Sequence, residues 1–187
     1  MKGVTTFDND LDTSTTIHMN LDELDLDAFA SRKTTPGTNT LLPYIIPSVE
    51  TTVKKLHWDN WHFTDLNVST SWHPQGMVLD AFTVKGPSLS VSGYGSWLYT
   101  WTGKHETSLK MSSTSENLGQ TLDEMGIFKA LKRTTLTSTS DWLWNAALYQ
   151  FSWDKIKGVS NFHLQDGEMK DIDPGTGGRV VGLLNVL

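Results

Sequence analysis

Apolar residues recur at every second position over most of this chain. In "TIHMNLDELDLDAF" (residues 16–29), Ile17, Met19 and Leu21 fall on one side of an extended segment. That is the period of a half-buried strand. The texture returns in "KKLHWDNWHFTDLNVSTSW", "GMVLDAFTVKG", "SLSVSGYGSWLYTW" and "HETSLKMSS", with turn signals between them such as His73-Pro74-Gln75-Gly76 and Gly86-Pro87. It resumes in "RTTLTSTSDWLW", "ALYQFSWDKIKG" and "SNFHLQDGEMKDI", where Lys157-Gly158 and Asp166-Gly167 read as tight hairpin turns. Short alternating runs at this spacing predict an antiparallel strand array.

One stretch breaks the period. Leu118, Leu122 and Met125 fall at i, i+4 and i+7, Ser113 and Glu116 form a candidate capping box, and Gly126 suits a C-terminal stop. One packing helix is therefore expected near residues 113–126, covering part of the sheet through Leu118, Leu122 and Met125. Residues 34–48, "TTPGTNTLLPYIIPS", hold three prolines and read as a linker or edge segment. The expected order is N-terminal strands (1–35), a Pro-rich connection (36–50), a strand array (51–112), the helix (113–126) and a second strand array (127–187). The fold class is mainly β with one helix, in a single domain.

Composition narrows the functional classes. The 187 residues suffice for one domain with a core. Fifteen basic against 21 acidic residues give a net charge of −6, so no general nucleic-acid surface is expected. The chain has no cysteine, which excludes disulfides and thiolate metal sites. No apolar run approaches the ~20 residues of a membrane span, and Met1-Lys2-Gly3 does not open a signal peptide. The closing run "GLLNVL" is apolar and uncapped, which reads as a piece of a longer protein.

Candidate chemistry is sparse. The cluster Asp8-Asn9-Asp10-Leu11-Asp12 lacks the Gly and Glu of a calcium loop, which are Thr13 and Met19 here. In "DIDPGTGGRVVGLLNVL" (171–187), no Lys-Ser/Thr follows the glycines and the dinucleotide spacing is wrong, so Asp173-Pro174-Gly175 reads as a turn. His57 and His62 would point to opposite faces of one ideal strand, against joint metal ligation. Ser92 and Ser96 flank Gly93-Tyr94-Gly95 without forming a nucleophile elbow. No carboxylate pair stands out, so no catalytic set, metal or cofactor is expected. Eight tryptophans are spread over the strands and suit either sheet packing or a ligand surface, sugar or lipid.

Four stretches, in order, carry a resemblance: "LDELDLDAF", "VKGPSLSVSGYGSW", "LGQTLDEMGIFKAL" and "LQDGEMKDIDPGTGGRVVGLLNVL". Over residues 21–187 the chain resembles the C-terminal part of YhdP-like members of the AsmA-like family, large Gram-negative envelope proteins that look like phospholipid bridges between the inner and outer membranes. One departure is "DWLWNAALYQF", where the family tends to carry a Trp-Pro-Gly-type turn. The resemblance implies a curved, gutter-like open sheet with an apolar groove. It also implies a periplasmic location, an inner-membrane anchor outside these residues, and neighbouring segments of the same long chain as partners.

On that reading, period-2 alternation names the groove candidates: Leu66 with Val68, Phe82 with Val84, Leu89 with Val91, Leu109 with Met111, and Phe162 with Leu164. Phospholipid acyl chains would be the ligand, and movement along such a groove needs no catalytic group. A bulge would flip any local facing. A structural envelope scaffold and a Trp-rich carbohydrate-binding β-sandwich are the other two readings.

Overall fold

The computed structural model describes residues 2–8, 15–27, 41–58, 61–124, 126 and 131–169. Alternating sequence becomes strand after strand: β1 (Lys2–Asp8), β2 (Thr16–Asp25), β3 (Ser48–Trp58), β4 (Trp61–His73), β5 (Gly76–Lys85), β6 (Leu89–Tyr99) and β7 (His105–Ser115). Helix α1 (Leu118–Glu124) follows, then β8 (Leu131–Lys132), β9 (Thr135–Trp144), β10 (Lys157–Gln165) and β11 (Glu168–Met169). Nine strands form one open sheet in the order β1-β2-β3-β4-β5-β6-β7-β9-β10, and β8 pairs with β11 separately.

The sheet is antiparallel at every junction but one. Strands β2 and β3 run parallel, Thr16 opposite Ser48 through Asp25 opposite His57. A parallel pair requires the chain to return to its starting end before the next strand. A 3-10 turn at Pro43–Ile45, in the proline-bearing stretch, leads into β3. Proline spacing marks a connection but carries no information on strand direction.

Several local expectations are corrected. The stretch around Trp58 and Trp61 is two strands of a hairpin, Trp58 directly opposite Trp61. The segment "ALYQFSWDK" forms two 3-10 turns, Leu148–Gln150 and Trp153–Lys155, instead of a strand. Lys157-Gly158 opens β10 instead of turning. The helix lies inside its expected window but is shorter. Ser113 stays on β7, and Asn117 does the capping: its Oδ1 accepts from the Gln120 N–H at 3.2 Å.

The helix packs differently from its leucine spacing. Its buried residues are Gly119 and Thr121, while Leu118 and Leu122 are only half-buried. Seven residues are too few to lay a long apolar stripe on a sheet. Instead α1 sits at the strand ends, held by hydroxyls. Thr121 Oγ1 lies 3.2 Å from Ser88 Oγ and 3.3 Å from Ser115 Oγ, and the Leu118 N–H donates to the Thr134 carbonyl at 2.7 Å. Met125 and residues 171–187, including the closing turn, lie outside the described residues.

Two irregularities decide which residues share a face. The β4–β5 register shifts between Thr64 and Asn67, where Asp65 has φ 50°, and the β5–β6 register shifts between Leu79 and Phe82. The first belongs to a line of broken alternation across three strands. On β3 the buried Val53 and Leu56 are separated by two exposed lysines, Lys54 and Lys55. Leu21 and Leu24 of β2 lie opposite Val53 and Leu56, and Leu66 and Phe63 of β4 oppose them from the other side. A three-residue step in all three strands thus keeps six apolar residues together where a strict period of two would have separated them.

Candidate functional site

Directly opposed residues in adjacent strands point to the same side of a sheet, so the register sorts every candidate. Val68 opposes Phe82, Phe82 opposes Gly93, Gly93 opposes Met111, and Met111 opposes Ser140. The next row toward α1 joins Val84, Val91, Ser113, Ser138 and Phe162. Beyond it Leu89, Ser115, Leu136 and Leu164 align. On the other side of the central row, Leu79, Gly95, Leu109, Trp142 and Gly158 align. With Leu66 two residues from Val68, all ten groove candidates occupy one face of the sheet. Ile17, Met19 and Leu21 continue it onto β2 through Val49, Thr51 and Val53.

Most of these side chains are half-buried; Phe162 and Leu164, on the edge strand β10, are 40% and 45% exposed. Over the middle of the face the chain lays down no second layer among the described residues. Glycines thin it further. A Cβ at Gly93 would stand 2.3 Å from the Lys110 carbonyl oxygen and 2.6 Å from the Phe82 ring, so Phe82 lies directly over the glycine backbone. At Gly95 a Cβ would stand 2.2 Å from the Ser108 carbonyl oxygen.

Toward β9 and β10 the same face becomes hydroxyl-lined, which period-2 reading had treated as a uniform apolar surface. Ser113 Oγ is 2.6 Å from Ser138 Oγ, and Ser140 Oγ is 2.9 Å from Ser160 Oγ. Trp142 Nε1 donates to Ser160 Oγ at 2.9 Å. Each serine thereby has a polar partner within the face.

One end of the face is closed. The chain leaving β9 folds back through its two 3-10 turns and builds an aromatic cluster there. Trp97 and Trp144 are 2% exposed, Thr107 Oγ1 donates to the Ala146 carbonyl at 2.8 Å, and Trp144 Nε1 donates to the Ala147 carbonyl at 3.3 Å. Phe151 meets Trp144 and Trp153 edge-on, and Tyr149 meets Trp97 the same way. The Pro43–Ile45 turn joins from the other side, with Trp72 Nε1 donating to the Tyr44 carbonyl at 2.9 Å. His105 sits within this cluster: its Nδ1 accepts from Trp97 Nε1 at 3.1 Å, its Nε2 is buried without a partner, and burial holds its pKa below the ordinary imidazole value. The rings pack edge-on or tilted, an arrangement that fills space instead of presenting a flat stacking platform.

The opposite face is a water face. It carries the ion pairs Lys54–Asp22 at 2.8 Å and Lys110–Asp141 at 2.9 Å, and these pairings lower the Asp22 pKa and raise those of Lys54 and Lys110. An open depression of about 510 Å³ is lined by polar residues such as Ser92, Ser112 and Asp141 and also by Ala81, Phe82, Met111 and Val159. The apolar site is defined by its row of side chains and not by a cavity.

His57 and His62 also face this side, and together. They oppose each other across the β3–β4 hairpin, with Nδ1 atoms 2.8 Å apart. They do not share one strand: His57 lies on β3 and His62 on the antiparallel β4, directly opposed.

An open, single-layered β-sheet, water-compatible on one face and apolar across most strands of the other, is the class of protein these observations define. No helix among the described residues is long and apolar enough to cross a membrane. A family model described as YhdP protein matches residues 1–187, and the chain belongs to that family. Membership is consistent with an envelope protein. No curated protein matches the chain, and no solved structure does.

Proposed function

We propose that this chain is a segment of a periplasmic, inner-membrane-anchored envelope protein that conducts phospholipid between the inner and outer membranes along an apolar β-groove. In this role it supports the outer-membrane barrier, with acyl chains as ligands, neighbouring segments of the same chain as partners, and no catalytic step. The observation that carries the reading is the common face: ten apolar residues from five strands, on both sides of two bulges, on one side of an open sheet.

An acyl chain gains about 0.8 kcal/mol per CH₂ on leaving water. A face of Val, Leu, Phe and Met offers surroundings similar to the bilayer, so exchange between the two is nearly neutral. The large penalty belongs to the aqueous route, on the order of 10 kcal/mol for a whole chain by the same arithmetic. A groove that removes this barrier needs neither an acid–base pair nor a deep pocket.

The test is site-specific photocrosslinking in the full-length protein in cells. Probes go at Phe82 and Val84 on the apolar face and at Thr83 on the water face. Phospholipid captured at the first two and not at Thr83 is the expected result. Absence of capture at all three, with normal expression, favours a scaffold without its own ligand, the reading that the side-chain closure of one end of the face supports.

A further inference from the structure

We propose that His57 and His62 form a cross-strand bis-histidine site for a divalent transition-metal ion of the copper(II) type, with Glu23 as its positioning residue. The two rings project from directly opposed positions of β3 and β4, so the sheet itself holds them together. Their centroids are 4.9 Å apart, the rings are close to perpendicular, and the Nδ1 atoms are 2.8 Å apart. Two imidazole nitrogens bound at about 2.05 Å and at a right angle to a tetragonal ion are about 2.9 Å apart. The Nδ1–Nδ1 distance in the structure is close to that value.

Glu23 fixes the required tautomer. Its Oε1 lies 3.2 Å from His57 Nε2, on the far side of the ring from His62. A neutral His57 that donates Nε2–H to this carboxylate carries its lone pair on Nδ1, the atom 2.8 Å from His62 Nδ1. Metal-bound histidines typically engage a carboxylate in this manner, which orients the ring and raises its basicity. Metal binding replaces the hydrogen bond between the two Nδ1 atoms.

No group of three or more metal-ligating side chains converges among the described residues. Among the described residues the site has two ligands, and water completes the shell. Two imidazoles with open positions favour copper(II) over zinc(II), through both the tetragonal geometry and the affinity order of divalent ions. The site lies on the water face, on the side away from the groove candidates, and does not depend on the lipid reading.

The experiment is titration of the purified chain with copper(II), read by electron paramagnetic resonance for nitrogen coupling, alongside His57→Ala, His62→Ala and Glu23→Gln. Circular dichroism checks that each variant keeps its sheet. The expected result is one site with two-nitrogen coupling, lost in either histidine variant, and weakened about 10- to 100-fold in Glu23→Gln by the usual effect of removing such a carboxylate. Unchanged binding in both histidine variants assigns the copper to other residues and overturns the proposal. Full affinity in Glu23→Gln overturns the role of Glu23. If a histidine variant loses its sheet, His62→Gln serves in its place and is read against the same criteria.

Discussion

The apolar face has two regions built from similar residues, and they have different fates. At one end Trp97 and Trp144 are almost completely buried beneath Ala146, Ala147, Tyr149 and Phe151. A few residues along the same strands, Leu109, Met111, Val68 and Phe82 stay half-buried with no layer of their own chain over them among the described residues. A sheet face of Val, Leu and Phe ordinarily finds a second layer. Here the molecule supplies one only at an end, through a returning loop with its own aromatic residues. The closed end has the features of a core and can hold the sheet together; the open middle is free for other contacts.

The sharpest way to break this contrast is to shorten one residue in each region. Trp144→Ala removes a fully buried indole and is expected to cost about 3–5 kcal/mol. Leu109→Ala, in the row next to the central one, is expected to cost about 1 kcal/mol because the leucine is only partly removed from water. Urea denaturation of both variants measures the difference. Equal losses would show that the middle is packed as tightly as the end.

Gly95→Val tests the open region from its backbone. The added Cβ would stand 2.2 Å from the Ser108 carbonyl oxygen, so β6 and β7 must separate. An overpacking loss of about 1–3 kcal/mol is expected, together with faster hydrogen exchange at the β6–β7 amides. A variant as stable as the parent would remove close strand approach from the description of this face.

The smallest effect expected is a pH dependence confined to the closed end. Burial lowers the His105 pKa in the folded chain, and its Nε2 has no partner to accept a charge. The unfolded chain therefore takes up the proton first as pH falls below about 6.5. By linkage, stability contributed by neutral His105 is present above that value and is lost progressively as pH falls toward the folded pKa. Tryptophan fluorescence from the cluster should report loosening on acidification, reduced in His105→Gln. An identical pH profile in that variant would assign the effect elsewhere.

Much of this architecture was legible in the sequence because alternation has a local cause. Val84, Val91 and Phe162 each sit in a period-2 run, and a strand sends such residues to one side whatever it pairs with. The turns at His73-Pro74-Gln75-Gly76 and Gly86-Pro87 were equally local. Legibility failed where a neighbour decided the outcome. His57 and His62 lie in one alternating run of the sequence, and only the pairing of β3 with β4 brings them opposite each other. Tyr149 and Phe151 look as apolar as any strand residue, but their place is set by the buried tryptophans they meet, Trp97 and Trp144.

The sequence by itself therefore determined most of the strands and the two-sided character of the sheet. Only the tertiary structure decided that β2 and β3 run parallel, that two bulges keep distant runs in phase, that one end is closed by rings, and that two histidines meet. The physical reason is range. Strand formation and facing follow from adjacent residues, whereas register, closure and cross-strand contact depend on which segments meet after the chain has folded.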